Sequence, residues 1–203
     1  MEEDSVSWKG GRHGQFGVKE AYNLLITPND ISFPKNCIWV DRVPTKVAFF
    51  AWEATWGKVL TLDRLLKRGW QLPNRCFLCG CEEETVNHIL VHCIVVRVLW
   101  EIVLVLFGIQ WVFPETVKEV LISWRGPFVD KKGKKIWKSI PLCIFWTVWK
   151  EKNRLAFRGG SLAVQKLKNS LICNLWSWAR LYIGEESFSL IGFLEWLAPL
   201  KGW

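Results

Sequence analysis

Cysteine and histidine crowd into one short stretch of this sequence, CFLCGCEEETVNHILVHC, which runs from Cys76 to Cys93. These eighteen residues contain four of the seven cysteines and two of the three histidines. Thiols and imidazoles this close together can ligate a metal, form a redox pair or form a disulfide. The odd number of cysteines and the polar, acidic start, which has no apolar leader, argue against secretion. In the reducing compartment that this predicts, clustered cysteines favour metal binding over disulfides.

The spacing within this stretch supplies a complete ligand set for zinc. Tetrahedral zinc prefers four thiolate or imidazole ligands, usually as two pairs that are local in sequence. Cys76 and Cys79 form a C-x-x-C pair on a turn, and His88 and Cys93 can form the second pair. A set of three cysteines and one histidine is chemically sufficient for a closed site.

Two further residues of the stretch leave the ligand set ambiguous. Cys81 can replace the second cysteine of the C-x-x-C pair, and His92 can replace Cys93. In a regular helix His88 and His92 lie on one face, at positions i and i+4. Cys93, at i+5, joins His88 only if the helix is irregular or ends there. Spacing alone therefore mildly favours His92 and does not decide the question.

A redox pair and buried core residues explain this cluster of cysteines less well than metal binding does. A thioredoxin-like redox pair opens a helix after a strand, and the sequence LPNRCFLCGCEEE lacks that setting. Cys37, Cys143 and Cys173 stand singly among apolar residues, which predicts small buried side chains. His13 falls in a Gly-rich turn, where a solvated loop residue is expected.

The elements that must position the cluster are predicted to be mostly helical. Gly-rich alternation over 6–18 predicts a short N-terminal β-hairpin, and the apolar spacing of the rest predicts helices. Pro44 and Thr61 are predicted helix starts, and Gly69 and the pair Gly159 and Gly160 are predicted stops. The expected helices span 18–25, 44–59, 60–69, 84–107, 114–124, 140–157 and 161–183, with a polar linker at 129–139.

The hydropathy of the sequence argues against a membrane-spanning helix. The longest run without a charged residue, Ile102 to Pro114, has thirteen residues, whereas a membrane-spanning helix needs roughly 18–20. No membrane span is therefore expected.

Residues 1–75 carry a net charge of +3, residues 76–130 carry −4 and residues 131–203 carry +9. Attraction to a polyanion is expected from the last third of the chain.

Candidate phosphate contacts lie in that basic third. Five lysines fall within eight residues, and more cations follow on the next predicted helix. An equally simple interpretation is a solvated lysine run that keeps a tryptophan-rich protein soluble. The candidate nucleic-acid contacts are Lys131, Lys132, Lys134, Lys135 and Lys138, followed by Lys150, Lys152, Arg154 and Arg158.

A series of ordered landmarks runs along the first half of the chain, from about residue 14 to residue 101. It includes Phe16 and Val18 before Ala21-Tyr22, Trp39, Pro44, Phe50, Trp52, Leu60-Thr61, Arg68-Gly69 and Glu84-Thr85. Together with the cysteines, this order resembles a known family, the zinc-binding domain of reverse transcriptases in plant LINE-type (non-LTR) retrotransposons. Gly17 departs from the serine usual in the family. The later IPLCIFWTVWKEKNRLAFRG resembles the tryptophan-rich helix that often follows this domain in such elements.

The resemblance implies a ligand set and a function. The family pattern has three parts in order: a C-x-x-C pair, an acidic residue before threonine, and H-x-x-x-x-C. On this sequence the pattern implies one structural zinc on Cys76, Cys79, His88 and Cys93. The domains expected are 14–101, the zinc-binding domain, and 102–203, a helical tryptophan-rich region with a basic linker near 130–138. RNA or DNA is the implied partner, with no small-molecule substrate. An intracellular location is expected, with the nucleus as a candidate compartment.

Motifs of the catalytic parts of such elements are missing from the sequence. There is no Tyr-x-Asp-Asp motif of a polymerase, and after residue 131 the carboxylates are Glu151, Glu185, Glu186 and Glu195, without a strand pattern to gather them. A non-enzymatic accessory module that begins as a fragment of a larger polyprotein is therefore expected. The alternative is a structural or protein-interaction remnant whose zinc only holds the fold.

Overall fold

The computed structural model describes residues 33–126, 131–183 and 189–197, and these residues are mostly helical. The predicted β-hairpin and the predicted helix at 18–25 lie outside the described residues. The described residues from Pro34 onward belong to one compact unit. In chain order the helices are α1 (Lys35–Ile38), α2 (Thr45–Thr55), α3 (Leu62–Leu66), a π-helical turn (His88–His92), α4 (Ile94–Phe107), α5 (Val117–Ser123), α6 (Lys131–Arg158), α7 (Val164–Ile183) and α8 (Leu190–Leu197).

The long helix α6 is the centre around which other helices pack. Its middle turns bury apolar side chains on every side, among them Ile140, Leu142 and Phe145, as expected of a helix surrounded by protein. Helix α7 packs along it, and Asn174 of α7 donates a hydrogen bond to Thr147 Oγ1 over 2.9 Å. Helix α2 also packs against α6, through Phe50. Helix α6 therefore connects most of the fold to the region that carries the cysteines.

The beginning of α6 corrects one prediction. The segment 131–138, expected as a polar linker, forms the first two turns of the helix, which then continues through Pro141 without a break. Proline has no N–H for the carbonyl four residues earlier. That carbonyl, of Trp137, instead accepts a hydrogen bond of 2.9 Å from Nε1 of Trp124, whose ring stacks on Trp137 at 4.3 Å. The side chain of Trp124 thus replaces the missing backbone donor.

Helix boundaries follow local signals in most of the described segments. Helix α2 begins directly after Pro44, as predicted, and α5 begins with a capping box between Thr116 and Glu119. Thr61 precedes α3 as expected, but its hydroxyl donates to Asp63 Oδ1 and does not cap the helix. Helix α4 runs without a break across the predicted domain boundary at residues 101 and 102, and that boundary stays a prediction.

None of the described helices is both long enough and apolar enough to cross a bilayer. Helix α4 contains the first six residues of the uncharged run noted in the sequence, and its buried face includes Trp100, Val103 and Phe107.

Candidate metal centre

The first half of the cysteine cluster is a tight turn. The N–H of Cys76 donates to the carbonyl of Glu82, and the N–H of Gly80 donates to the carbonyl of Cys76, each over 2.8 Å. Gly80 has φ of +68°, a left-handed conformation that glycine adopts without steric cost. Within this turn Cys76 and Cys79 bring their sulfurs to the same side, close to the helical segment that follows.

The second half depends on an irregular helix. In a regular α-helix residues five apart point about 140° away from each other. Here residues 88–92 form a π-helical turn, and the N–H of Cys93 donates to the carbonyl of His88 over 2.7 Å. This bond joins residues i and i+5, the pattern of a π-helix. Cys93 then leaves helical geometry, with φ −52° and ψ 130°, before α4 begins at Ile94.

Four side chains meet as a result. The ligand atoms of Cys76, Cys79, His88 and Cys93 all lie within 4.8 Å of one another. The sulfurs of Cys76 and Cys93 are 3.9 Å apart, and the sulfur of Cys79 is 3.5 Å from His88 Nε2. Tetrahedral zinc with ordinary bond lengths places two sulfurs about 3.8 Å apart and a sulfur and a nitrogen about 3.5 Å apart. The spacing of this site fits a tetrahedral ion.

The two spare residues of the cluster lie elsewhere. Cys81 is exposed, and its thiol donates to the carbonyl of Cys79 over 3.1 Å. His92 is exposed, and its Nε2 lies 2.8 Å from the carbonyl of Glu115. The structure therefore brings together the ligand set that the family resemblance implied, and separates it from the alternatives that spacing left open.

His88 is oriented by an acidic neighbour. Its Nε2 faces the sulfurs, and its Nδ1 lies 3.2 Å from Oε2 of Glu82. Burial lowers the pKa of His88, while the charge of Glu82 acts in the opposite direction. The neutral imidazole that burial favours is the form that binds a metal. A carboxylate on the second ring nitrogen is the usual support of a metal-bound histidine.

The buried sulfurs of Cys76 and Cys93 are joined by a hydrogen bond. The Cys76 thiol donates to the Cys93 sulfur, which lowers the pKa of Cys93. The same hydrogen bond, together with burial, raises the pKa of Cys76. A metal ion that binds both residues must displace this proton, because thiolates are the ligating form.

A buried ion pair attaches the cysteine region to α6. Lys152 and Glu84 are 4% and 0% exposed, and their Nζ and Oε1 atoms are 3.3 Å apart. The same carboxylate accepts hydrogen bonds from the backbone N–H groups of Leu62 and Phe77, at 3.2 and 3.4 Å. Lys152 also donates to the carbonyl of Leu60 over 3.3 Å. Sequence reasoning missed this pair, and the acidic residue before Thr85 in the family pattern was the available signal.

This pair corrects two expectations about charge. Lys152 was counted among possible phosphate contacts, but it is buried against Glu84 and cannot reach a phosphate. Residues 76–130 were expected to carry an acidic surplus, but Glu84, which contributes to that surplus, is fully buried and paired and adds no negative charge to the surface.

The predicted lysine cluster is placed along the start of α6. Lys132, Lys134 and Lys135 are exposed, Lys138 is half-buried, and Lys131 is the first residue of the helix. Lys132 donates to the carbonyl of Ile183 over 3.1 Å, and Lys135 lies 2.9 Å from Asp41 Oδ2. Two of these lysines thus already have partners within the chain.

Comparison with known proteins agrees with this chemistry. The profile of a family described as "zinc-binding in reverse transcriptase" matches residues 16–100, which include all four clustered side chains. Over 217 aligned positions the chain is 28% identical to an Arabidopsis thaliana protein named "Putative ribonuclease H protein". That similarity covers 98% of the chain and 33% of the relative, so the chain spans about a third of the length of the curated relative it matches. No solved structure matches the chain.

Proposed function

Because residues 16–100 match the zinc-binding family of reverse transcriptases, we propose that the protein is a non-catalytic accessory module held together by one structural zinc ion. Cys76, Cys79, His88 and Cys93 are the proposed ligands. The supporting observation is the meeting of their four ligand atoms within 4.8 Å, at distances that fit a tetrahedron. Four protein ligands fill tetrahedral zinc, which leaves no position for a substrate.

The choice of zinc follows from the donor set. Three thiolates and one imidazole are soft or borderline ligands, and tetrahedral sites of this kind take zinc in preference to magnesium, calcium or manganese. A closed Cys₃His site contributes to folding and does not activate water.

We further propose that the module binds nucleic acid, as part of a LINE-type retrotransposon-derived protein with the nucleus as its site of action. The support is the family match, which concerns reverse transcriptases, and the net charge of +9 over residues 131–203. Lys131, Lys132, Lys134, Lys135 and Lys138 at the start of α6 are the proposed phosphate contacts. Such contacts release counterions, so binding weakens steeply as salt increases.

Metal content and nucleic-acid affinity, measured on the same purified chain, test this proposal. We expect one zinc per chain by elemental analysis, and a gel shift with RNA or DNA at low salt that disappears near 200 mM salt. Reversing the charge of Lys132, Lys134 and Lys135 together should weaken the shift. A metal-free folded chain would overturn the zinc site, and a zinc-loaded chain with no gel shift at low salt would overturn nucleic-acid binding alone.

A second function is favoured by one specific observation. Lys132, Lys135 and Lys152 all have partners within the chain, namely Ile183 O, Asp41 and Glu84. These cations can serve the fold alone, which suits a structural or protein-interaction remnant with a purely structural zinc. The low-salt gel shift separates the two functions, because only the first predicts a salt-dependent complex.

A further inference from the structure

Two grooves on the surface share one tryptophan, Trp149, in their linings. The first, at the end of α6, has a volume of about 570 Å³ and is lined by Trp146, Trp149 and Phe157. The second, of about 320 Å³, is lined by Phe50, Trp149 and the segment that precedes α3. Both volumes lie in or near the range of roughly 300–1,000 Å³ found for ligand sites. Because Trp149 lines both, we treat them as one path, the α6 groove.

The α6 groove is basic. Its lining contains five cations and two carboxylates, a net charge of +3. One of the two carboxylates, Glu151, is held by Arg154 through hydrogen bonds of 2.9 and 2.7 Å. Lys150 and Arg158 are exposed in the first part, and Lys58 and Arg68 are exposed in the second. The groove therefore presents positive charge at both of its ends.

Aromatic rings lie among these charges. Phe157 is 83% exposed, which is unusual for a large apolar side chain, and it lies beside Arg158. Trp146 is half-buried, and Lys46 of α2 lies 5.6 Å from the centre of its ring. Rings next to cations form the arrangement that binds unpaired nucleotides, since bases stack on the rings and phosphates meet the cations.

We propose that the α6 groove binds single-stranded nucleic acid, with bases stacked on Phe157 and Trp146 and phosphates along Lys150 and Arg158. This inference rests on the proposed nucleic-acid-binding function and gives that function a second site, apart from the lysines at the start of α6. Duplexes fit the groove poorly, because their base faces are already stacked on one another. An acidic protein segment would match the charge but would make no use of the exposed ring.

Three labelled probes of equal length test the groove by fluorescence anisotropy on the zinc-loaded chain. They are a fifteen-nucleotide thymidine strand, the same backbone without bases, and a duplex. We expect the strand with bases to bind at least about fivefold more tightly than the abasic strand, the lower end of the effect of stacking one base. Equal binding of the abasic and thymidine strands would overturn the stacking site while leaving nucleic-acid binding intact.

Exposed substitutions locate the contact. Phe157→Ala should remove most of the preference for bases, whereas Val112→Ala, at a residue 89% exposed and outside both grooves, should not. Lys150→Glu with Arg158→Glu should lower the slope of log affinity against log salt by about 1.4, two phosphates at about 0.7 each. Lys35→Glu with Lys166→Glu, two exposed lysines outside the grooves, is the control for charge.

Each result counts for or against the groove. Loss of base preference in the Phe157 variant alone supports it. Unchanged affinity in both groove variants, with loss of affinity on charge reversal of Lys132, Lys134 and Lys135, would overturn the groove and keep the proposed function. Competition by polyglutamate as strong as by the thymidine strand would indicate an acidic protein partner and overturn the groove as a nucleic-acid site. A chain that binds none of the three probes would overturn both proposals.

Discussion

Cys93 is the residue on which the candidate metal centre depends most. It lies five positions after His88, a spacing that a regular helix does not tolerate for two ligands of one ion. The π-helical turn removes that conflict and directs both side chains to the same point. His92, one position earlier, is thereby turned out to Glu115. Local π-helical turns are frequent at functional sites, and this one selects which of two neighbouring side chains faces the cysteines.

Substitution of three of the four clustered residues tests this selection. Cys76→Ser, His88→Ala and Cys93→Ser should each reduce bound zinc below one per chain and unfold the surrounding turn. The reason is that metal binding in structural zinc modules supplies on the order of 10 kcal/mol. Zinc content by elemental analysis and thermal unfolding by circular dichroism are the measurements. Cys81→Ser and His92→Ala are matched controls that should keep the metal. Loss of zinc in His92→Ala, with its retention in Cys93→Ser, would reverse the assignment.

Glu82 carries a second prediction at the residue scale. Its carboxylate lies 3.2 Å from His88 Nδ1 and is 69% exposed, so its removal should not disturb the core. Glu82→Gln should weaken zinc affinity by about tenfold, the lower end of the range for carboxylates that support a metal-bound histidine. Competition with a chromogenic chelator measures this change. Glu83→Gln, its exposed neighbour, is the control, and equal affinities of the two variants would exclude a supporting role for Glu82.

At the scale of elements, the buried pair of Glu84 and Lys152 joins the cysteine turn to α6. The carboxylate of Glu84 accepts hydrogen bonds from the backbone N–H groups of Phe77, which lies in the C-x-x-C turn, and of Leu62, the first residue of α3. Lys152 lies in the second half of α6. Burying two charges is costly unless each is paired and hydrogen-bonded. The pair of Glu84 and Lys152 meets that condition. It therefore fixes the orientation of the cysteine turn against α6.

Removing one partner of this pair should be more damaging than removing both. Lys152→Met leaves Glu84 buried without a counter-ion, which should lower the free energy of unfolding by about 3–5 kcal/mol. Adding Glu84→Gln should restore part of that loss. Urea unfolding of the zinc-loaded chains measures both. Lys135→Met, which breaks the exposed pair with Asp41, should have little effect. A double variant as unstable as the sum of the two single variants would indicate that the pair is not coupled.

At the scale of the whole molecule, charge and aromatic side chains are distributed unevenly. The cysteine region carries the acidic surplus and the final third carries the basic surplus. Some of the described tryptophans are core residues, as Trp100, Trp124 and Trp137 show through their packing. Others, such as Trp146, line the basic α6 groove. The proposed zinc centre and the proposed nucleic-acid contacts are thus different parts of one compact unit.

The proposed non-catalytic role makes a prediction for the whole chain. Zinc-loaded protein should not cleave an RNA–DNA hybrid in the presence of magnesium or manganese, since the sequence after residue 131 has only four carboxylates and no strand pattern to gather them around a catalytic metal. Hydrolysis of a labelled hybrid, followed on a denaturing gel, is the measurement. A cleaving ribonuclease H run in parallel is the positive control. Cleavage that co-purifies with the chain and disappears in a Glu151→Gln variant would contradict the prediction.

Sequence by itself determined the helical class of the described region and the chemistry of the cluster. Helical spacing, Pro44 before α2 and the capping box before α5 are local signals, and local hydrogen bonds obey them. Residue type alone pointed to a thiolate and imidazole site, because few other chemistries use such a set. Spacing did not choose between His92 and Cys93, and the family resemblance was needed to do so.

Tertiary structure decided what depends on contacts between distant segments. The polar segment 131–138 is helical because Ile136 and Trp137 within it are buried by packing, which outweighs its lysines and Gly133. Helix α6 continues through Pro141 because Trp124, seventeen positions away, supplies a donor to the carbonyl that proline leaves without one. Lys152 is buried for the same kind of reason, because it pairs with Glu84, which lies 68 positions earlier in the chain. Pairings over such distances leave no periodic trace in the sequence, so only the folded chain reveals them.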